Sequence, residues 1–173
     1  MKTKTNNVII FDLDGTIIDS SARMKFDNAG KEILEYTIRD ATAMTMRDED
    51  KILALKAVYD EAMLIEQTKV ICITARGLGM REPTFEYLDK FGLKFDDFLD
   101  RGTFAGGDAV LKNALLEKYC LENPNTNFIA GFDDKLENLE VFKKYGMKAI
   151  DANIANNLIL DGKYDDVIRY AFN

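Results

Sequence analysis

The sequence predicts an α/β protein with a doubly wound, mainly parallel, Rossmann-like sheet, a small helical insert and no large cap domain. Three observations carry this. Short continuous apolar runs read as strands buried on both faces. Longer stretches with apolar residues at three- and four-residue spacing separate them and read as helices. The three clearest runs each end in polar residues capable of chemistry, at the position where open α/β sheets bind ligands. Strands alternating with helices imply parallel pairing.

The first run is Val8-Ile9-Ile10-Phe11, followed by Asp12-Leu13-Asp14-Gly15-Thr16 with Gly15 as the breaker. Residues from Ser20 to about Arg47 read as the insert, a small helical piece by its Met and Tyr content. The stretch between Asp14 and Thr74 is too short for a large independent lid. Asp50 to Gln67 carries Ile52, Leu55, Val58, Tyr59, Ala62 and Ile65 on one stripe and predicts a helix. The second strand, Val70-Ile71-Cys72-Ile73, ends at Thr74-Ala75-Arg76-Gly77. Glu82 to Phe91 predicts a helix on Phe85, Leu88 and Phe91, stopped by Gly92. A short strand is expected near Phe98-Leu99, then a helix marked by Val110, Leu111, Ala114, Leu115 and Leu121. The third clear strand, Phe128 to Phe132, ends at Asp133-Asp134. Leu136, Leu139, Val141 and Phe142 predict a helix ending at Gly146. A weaker strand at Met147 to Ile150 and a short terminal helix on Val167, Ile168 and Phe172 complete the chain. Residues 1–173 read as one domain.

Composition narrows the function. The chain has 173 residues, 47% of them hydrophobic, enough for a core at this length. A net charge of −7 disfavours a broad basic face for nucleic acid. There is no histidine, so no imidazole base, phosphohistidine or His-ligated metal is available. Cys72 and Cys120 do not make a disulfide framework and fit a reducing cytosol. The opening apolar run is too short for a signal peptide or a membrane span, so a cytoplasmic protein is expected.

Asp12 and Asp14 flank Leu13, and alternation lets i and i+2 share one side of a strand. If the strands ending at Asp12 and at Asp133-Asp134 are neighbours, three or four carboxylates crowd one point. Two unit charges about 4 Å apart repel by about 4 kcal/mol at an effective dielectric of 20, so such a cluster needs a cation. All-oxygen donors select a hard ion, Mg²⁺ first among them. Cys72 lies inside a strand only four residues before Arg76, a spacing that does not suit a cysteine phosphatase.

Phe11-Asp12-Leu13-Asp14-Gly15-Thr16 resembles the first motif of the haloacid dehalogenase (HAD) superfamily. Ile73-Thr74-Ala75-Arg76 resembles the second, Lys112 stands where the third has its lysine, and Gly131-Phe132-Asp133-Asp134 resembles the fourth. The resemblance implies that Asp12 is a nucleophile forming an aspartyl-phosphate, and that Asp14 protonates the leaving oxygen and then deprotonates water. Mg²⁺ would bridge Asp12, the backbone carbonyl of Asp14 and one of Asp133 or Asp134. Thr74 and Lys112 would hold the phosphoryl group. The aspartate at +2 favours phosphoryl transfer over carbon–halogen cleavage. Arg23, Arg76 and the Gly106-Gly107-Asp108 to Lys112 stretch are further similar to the phosphatase domain of bacteriophage polynucleotide kinase-phosphatases. By that match Arg23 and Arg76 would clamp phosphate and Asp108 would orient an arginine, with Arg101 a further candidate. From the residues alone, Asp108 reads equally as a helix N-cap, and Lys112 as a solvated partner of Asp108 at i, i+4. The fourth motif departs from the usual Asp-Asp-Arg, having Lys135, and no Gly-x-x-x-x-Gly-Lys-Ser/Thr loop is present.

The expected function is therefore a Mg²⁺-dependent phosphomonoesterase acting on a phosphorylated substrate, with a nucleic-acid 3′-end or nucleotide placed first. A small-metabolite or 5′(3′)-deoxyribonucleotide phosphatase is the nearest alternative, and a non-catalytic binding relative a second.

Overall fold

The computed structural model describes residues 6–23, 26–30, 33 and 51–173. In chain order its strands are β1 (Asn6–Phe11), β2 (Ile18–Asp19), β3 (Lys51–Ile52), β4 (Thr68–Ile73), β5 (Asp97–Leu99), β6 (Thr126–Asp133) and β7 (Lys148–Asp151). Its α-helices are α1 (Lys56–Ala62), α2 (Arg81–Lys90), α3 (Asp108–Glu122), α4 (Leu136–Lys144), α5 (Ala152–Leu160) and α6 (Tyr164–Phe172). Five strands form one sheet in the order β5-β4-β1-β6-β7, and every pairing in it is parallel. The predicted doubly wound α/β sheet is present, with no large extra domain among the described residues.

Side chains of β1 alternate between two cores. Val8 and Ile10 join Leu116, Tyr119, Leu139 and Phe142 from α3 and α4. Ile9 and Phe11 join Val58, Tyr59, Tyr87, Ala155 and Val167 from α1, α2, α5 and α6. Phe11 stacks on its β6 neighbour Phe132 at 4.5 Å between centroids, each ring contributing about 2 kcal/mol by burial. Gly131 lets α4 approach the sheet, since a Cβ there would stand 2.5 Å from the Phe142 ring. Crossover helices on the β4–β5 side and on the β6–β7 side cover opposite faces. The topological switch point therefore lies between β1 and β6, where such sheets open a ligand crevice.

Four local expectations are corrected. The helix expected over Asp50 to Gln67 is only α1, because Lys51-Ile52 pairs antiparallel with Ile18-Asp19 as a separate ribbon. Tertiary acceptors take the backbone donors there: Leu53 N–H bonds Ile17 O at 2.8 Å, and Leu55 N–H bonds Asn156 Oδ1 at 2.8 Å. Helix α5 was not expected, since its asparagines are poor helix formers. The Asp151 carboxylate starts it by accepting from Asn153 N at 2.9 Å and Ile154 N at 3.3 Å. Helix α2 buries Thr84, Tyr87 and Leu88, while Phe85, expected in the core, is 45% exposed. Val110, Leu121 and Leu136 are exposed as well. The helical insert expected at 20–47 falls for the most part outside the described residues.

Candidate active site

The ends of β1 and β6 bring Asp12, Asp133 and Asp134 together, with one oxygen of each carboxylate within 4.8 Å of the others. Asp12 N–H bonds Phe132 O at 3.0 Å, which extends the β1–β6 ladder into the site. Lys112 enters from α3 and is only 1% exposed. Its Nζ donates to Asp12 Oδ1 at 2.8 Å and to Asp133 Oδ2. The solvated pairing with Asp108 is thus replaced by a buried one with two strand-end carboxylates. The second Asp133 oxygen accepts Lys135 N–H at 3.0 Å and Asn138 Nδ2 at 2.9 Å. Asp134 packs against Gly15, where a Cβ would lie 2.5 Å from its Oδ2. The φ of +75° at Gly15 also favours glycine.

The charges do not balance. Three carboxylates surround one ammonium. Burial drives the Asp12 carboxyl up to about 8, with Asp133 and Asp14 adding to it and Lys112 opposing. Burial, followed by the charge of Asp133, raises Asp134 to about 6. Burial works to discharge Lys112, but Asp12 and Asp133 hold it protonated above the ordinary lysine value. With Lys112 protonated, burial and the charge of Asp133 still disfavour a charged Asp12, and a further cation in the cluster would offset that cost. All-oxygen donors clustered at this spacing fit a hard metal ion.

The neighbouring half of the site is organised differently. Arg76, 3% exposed, turns its guanidinium onto Asp14 in a fork, Nε to Oδ2 at 2.8 Å and Nη2 to Oδ1 at 2.7 Å. Its Nη1 donates to Thr84 Oγ1 at 3.0 Å. Sequence reasoning expected Arg76 to clamp phosphate; in the structure it holds the second aspartate of the first motif. Thr74 is buried and its hydroxyl oxygen accepts Arg76 N–H at 3.2 Å. Arg23 ends a 3₁₀ turn at Ser21–Arg23, and its side chain falls outside the described residues.

Asp108 opens α3 without acting as its N-cap, a position held by Gly107. Its carboxylate accepts from Arg101 Nη2 at 2.6 Å and Lys135 Nζ at 2.5 Å. Arg101 also donates to Ala75 O at 2.9 Å and Gly106 O at 2.7 Å. The arginine that Asp108 meets is Arg101. Lys135, noted in the sequence only as a departure, takes the other oxygen. The roles of Thr84 and Asn138 had no sequence signal, because a buried hydroxyl or amide on a helix looks like any other polar helix residue.

Residues 1–103 match the family described as Bacteriophage T5 5′-deoxynucleotidase. The chain belongs to that family. The 5′-deoxynucleotidase of Escherichia phage T5 is 28% identical over 91% of this chain and 71% of the relative. The chain is thus homologous to a phosphomonoester hydrolase. Among solved structures, one chain of the Pnkp1/Rnl/Hen1 RNA repair complex superposes with a TM-score of 0.57 at 22% identity, over 87% of this chain and 42% of that one. This chain therefore spans less than half of that protein. A hydrolase from Streptococcus pneumoniae TIGR4 superposes with a TM-score of 0.50 at 13% identity, over 92% of this chain and 100% of that one. These two likenesses show the fold. The family match favours the nucleotidase alternative over the nucleic-acid end that the sequence placed first. No helix among the described residues is long and apolar enough to cross a membrane.

Proposed function

We propose that the protein is a Mg²⁺-dependent phosphatase that releases inorganic phosphate from deoxyribonucleoside 5′-monophosphates. The observation that carries the reading is the buried Asp12, Asp133 and Asp134 group around Lys112 at the sheet's switch point, in a chain of the 5′-deoxynucleotidase family. Asp12 attacks phosphorus through a carboxylate oxygen, and the bond from phosphorus to the sugar oxygen breaks. Asp14 gives that oxygen its proton, leaving a free 5′-hydroxyl and an aspartyl-phosphate on Asp12. Asp14 then takes a proton from water as the water attacks phosphorus, so phosphate leaves and Asp12 is restored. Asp12, Asp133, Asp134 and the backbone carbonyl of Asp14 are the groups to hold Mg²⁺. When bound, it neutralises carboxylate and phosphoryl charge. Lys112 and the Thr74 hydroxyl, which can still donate its own proton, hold phosphoryl oxygens.

The test is phosphate release, with Mg²⁺ and with chelator, from deoxynucleoside 5′-monophosphates, ribonucleoside 5′-monophosphates, a 3′-phosphorylated oligonucleotide and a sugar phosphate. The first group should turn over fastest and only with Mg²⁺. Preference for the oligonucleotide would restore the nucleic-acid reading. Asp12→Asn should lower turnover at least about a thousandfold, since an amide is a poor nucleophile. Near-normal turnover in that variant would remove the aspartyl-phosphate route.

A further inference from the structure

We infer that Thr84, a core residue of α2, is a positioning residue for the acid–base step. This rests on the proposed role of Asp14. Asp14 stands at the rim, its side chain 25% exposed, while Arg76 behind it is 3% exposed and Thr84 behind that is fully buried. The three form a line from solvent into the core. Two guanidinium nitrogens of Arg76 serve Asp14, and the third reaches Thr84 Oγ1 at 3.0 Å.

The polarity of the line is fixed at its inner end. Thr84 Oγ1 donates its proton to Met80 O, four residues back, at 2.6 Å. A hydroxyl committed to that carbonyl presents only lone pairs to Arg76. Arg76 therefore meets an acceptor that cannot turn into a donor. The start of α2 is itself pinned: Arg81 forks onto Asp100 at the end of β5, Nε to Oδ2 at 2.7 Å and Nη2 to Oδ1 at 2.8 Å. Arg76 has a long side chain with many rotamers, and ordering it costs entropy. Thr84 holds the inner nitrogen, which helps keep the fork aimed at Asp14. Without the hydroxyl the guanidinium loses that acceptor, and the fork on Asp14 is held less firmly.

Leaving-group dependence separates this from a structural role. A nitrophenolate departs without a proton, whereas a sugar oxygen needs one. In the full chain with Mg²⁺, Thr84→Val and Thr84→Ala should slow hydrolysis of a deoxynucleoside 5′-monophosphate about tenfold or more while slowing 4-nitrophenyl phosphate much less. Thr84→Ser, which keeps the hydroxyl and loses only the methyl, should recover most of the lost rate. Melting curves report packing losses separately, and the Ala–Ser pair carries the test if the Val variant does not fold. Equal losses on both esters, no loss on either, or no recovery in Thr84→Ser would overturn the inference. Asp14→Asn is run beside them. If it shows no leaving-group split, the acid role of Asp14 falls, and this inference with it. If it shows the split and Thr84→Ala does not, the inference alone falls.

Discussion

The two aspartates of the first motif, two residues apart, sit in opposite electrostatic surroundings. On the β6 side, Asp12 shares one ammonium with Asp133, and Asp134 adds a third carboxylate. On the β4 side, Asp14 has a guanidinium of its own, held in turn by a threonine. One region is short of positive charge and buried. The other is matched charge for charge among the described residues. The difference places the possible metal site in the deficit beside Asp12 and not at the Asp14 carboxylate. In the proposed mechanism it would also divide the labour, because a carboxylate facing a cation is kept ionised and able to attack, while one held at the rim can exchange protons with solvent and leaving group.

Lys112→Met should break the β6 side most severely. Asp12 and Asp133 would lose their shared cation, and an uncompensated buried charge costs about 3–5 kcal/mol. Chemical denaturation in chelator should show that loss, and Mg²⁺ should return part of it, more than it adds to the wild type. Turnover should fall as well. A variant as stable as the wild type in chelator would mean that the carboxylates are not short of charge.

Arg76→Lys should disturb the β4 side less and differently. The charge stays, but a lysine cannot fork onto both Asp14 oxygens and reach Thr84. The expected result is a fall in kcat of roughly 10- to 100-fold on nucleotide substrates, an order set by loss of general acid–base positioning. The stabilisation by Mg²⁺ should match that of the wild type. A rise in KM with kcat unchanged would instead support the phosphate clamp that the sequence suggested for Arg76.

These contrasts also show what could be read from the chain. Apolar runs ending in Asp12, Thr74 and Asp133 announced both the sheet and the place of the site, because burial on two faces writes itself as continuous hydrophobicity. The pairing of Lys112 with Asp12 spans 100 positions and was legible only through the resemblance to a known family. The direction of the Arg76 side chain was not legible at all. Its spacing from Thr74 put it at the right strand end, but its contacts with Asp14 and with Thr84, a residue of the next helix, are tertiary and are not written in that spacing. Helix faces were misplaced for the same reason: Phe85 fits the apolar period, yet packing gave the inner position to Thr84 and put the Phe85 ring against Phe98 at 4.8 Å, near the surface.

Asp108 joins the two regions, so it offers the gentlest way to test how far they are independent. One oxygen meets Arg101, which also grips Ala75 beside Arg76, and the other meets Lys135, next to Asp134. Burial acts to raise the Asp108 carboxyl, but Lys135 and Arg101 overcome it and hold it below the ordinary aspartate value. A carboxylate with a lowered folded value stabilises the fold above its unfolded value and loses that contribution as pH falls through the folded one. Asp108→Asn, which keeps the shape and an acceptor oxygen, should therefore cost about 1 kcal/mol or less near neutral pH, as partly exposed pairs do. The gap from the wild type should close as pH falls below 3.8, measured by denaturation at matched Mg²⁺. If it stays open in acid, Asp108 acts through packing and not through charge. If the leaving-group dependence of turnover also changes, the bridge carries strain from one aspartate's surroundings to the other's, and the two halves of the site do not act independently.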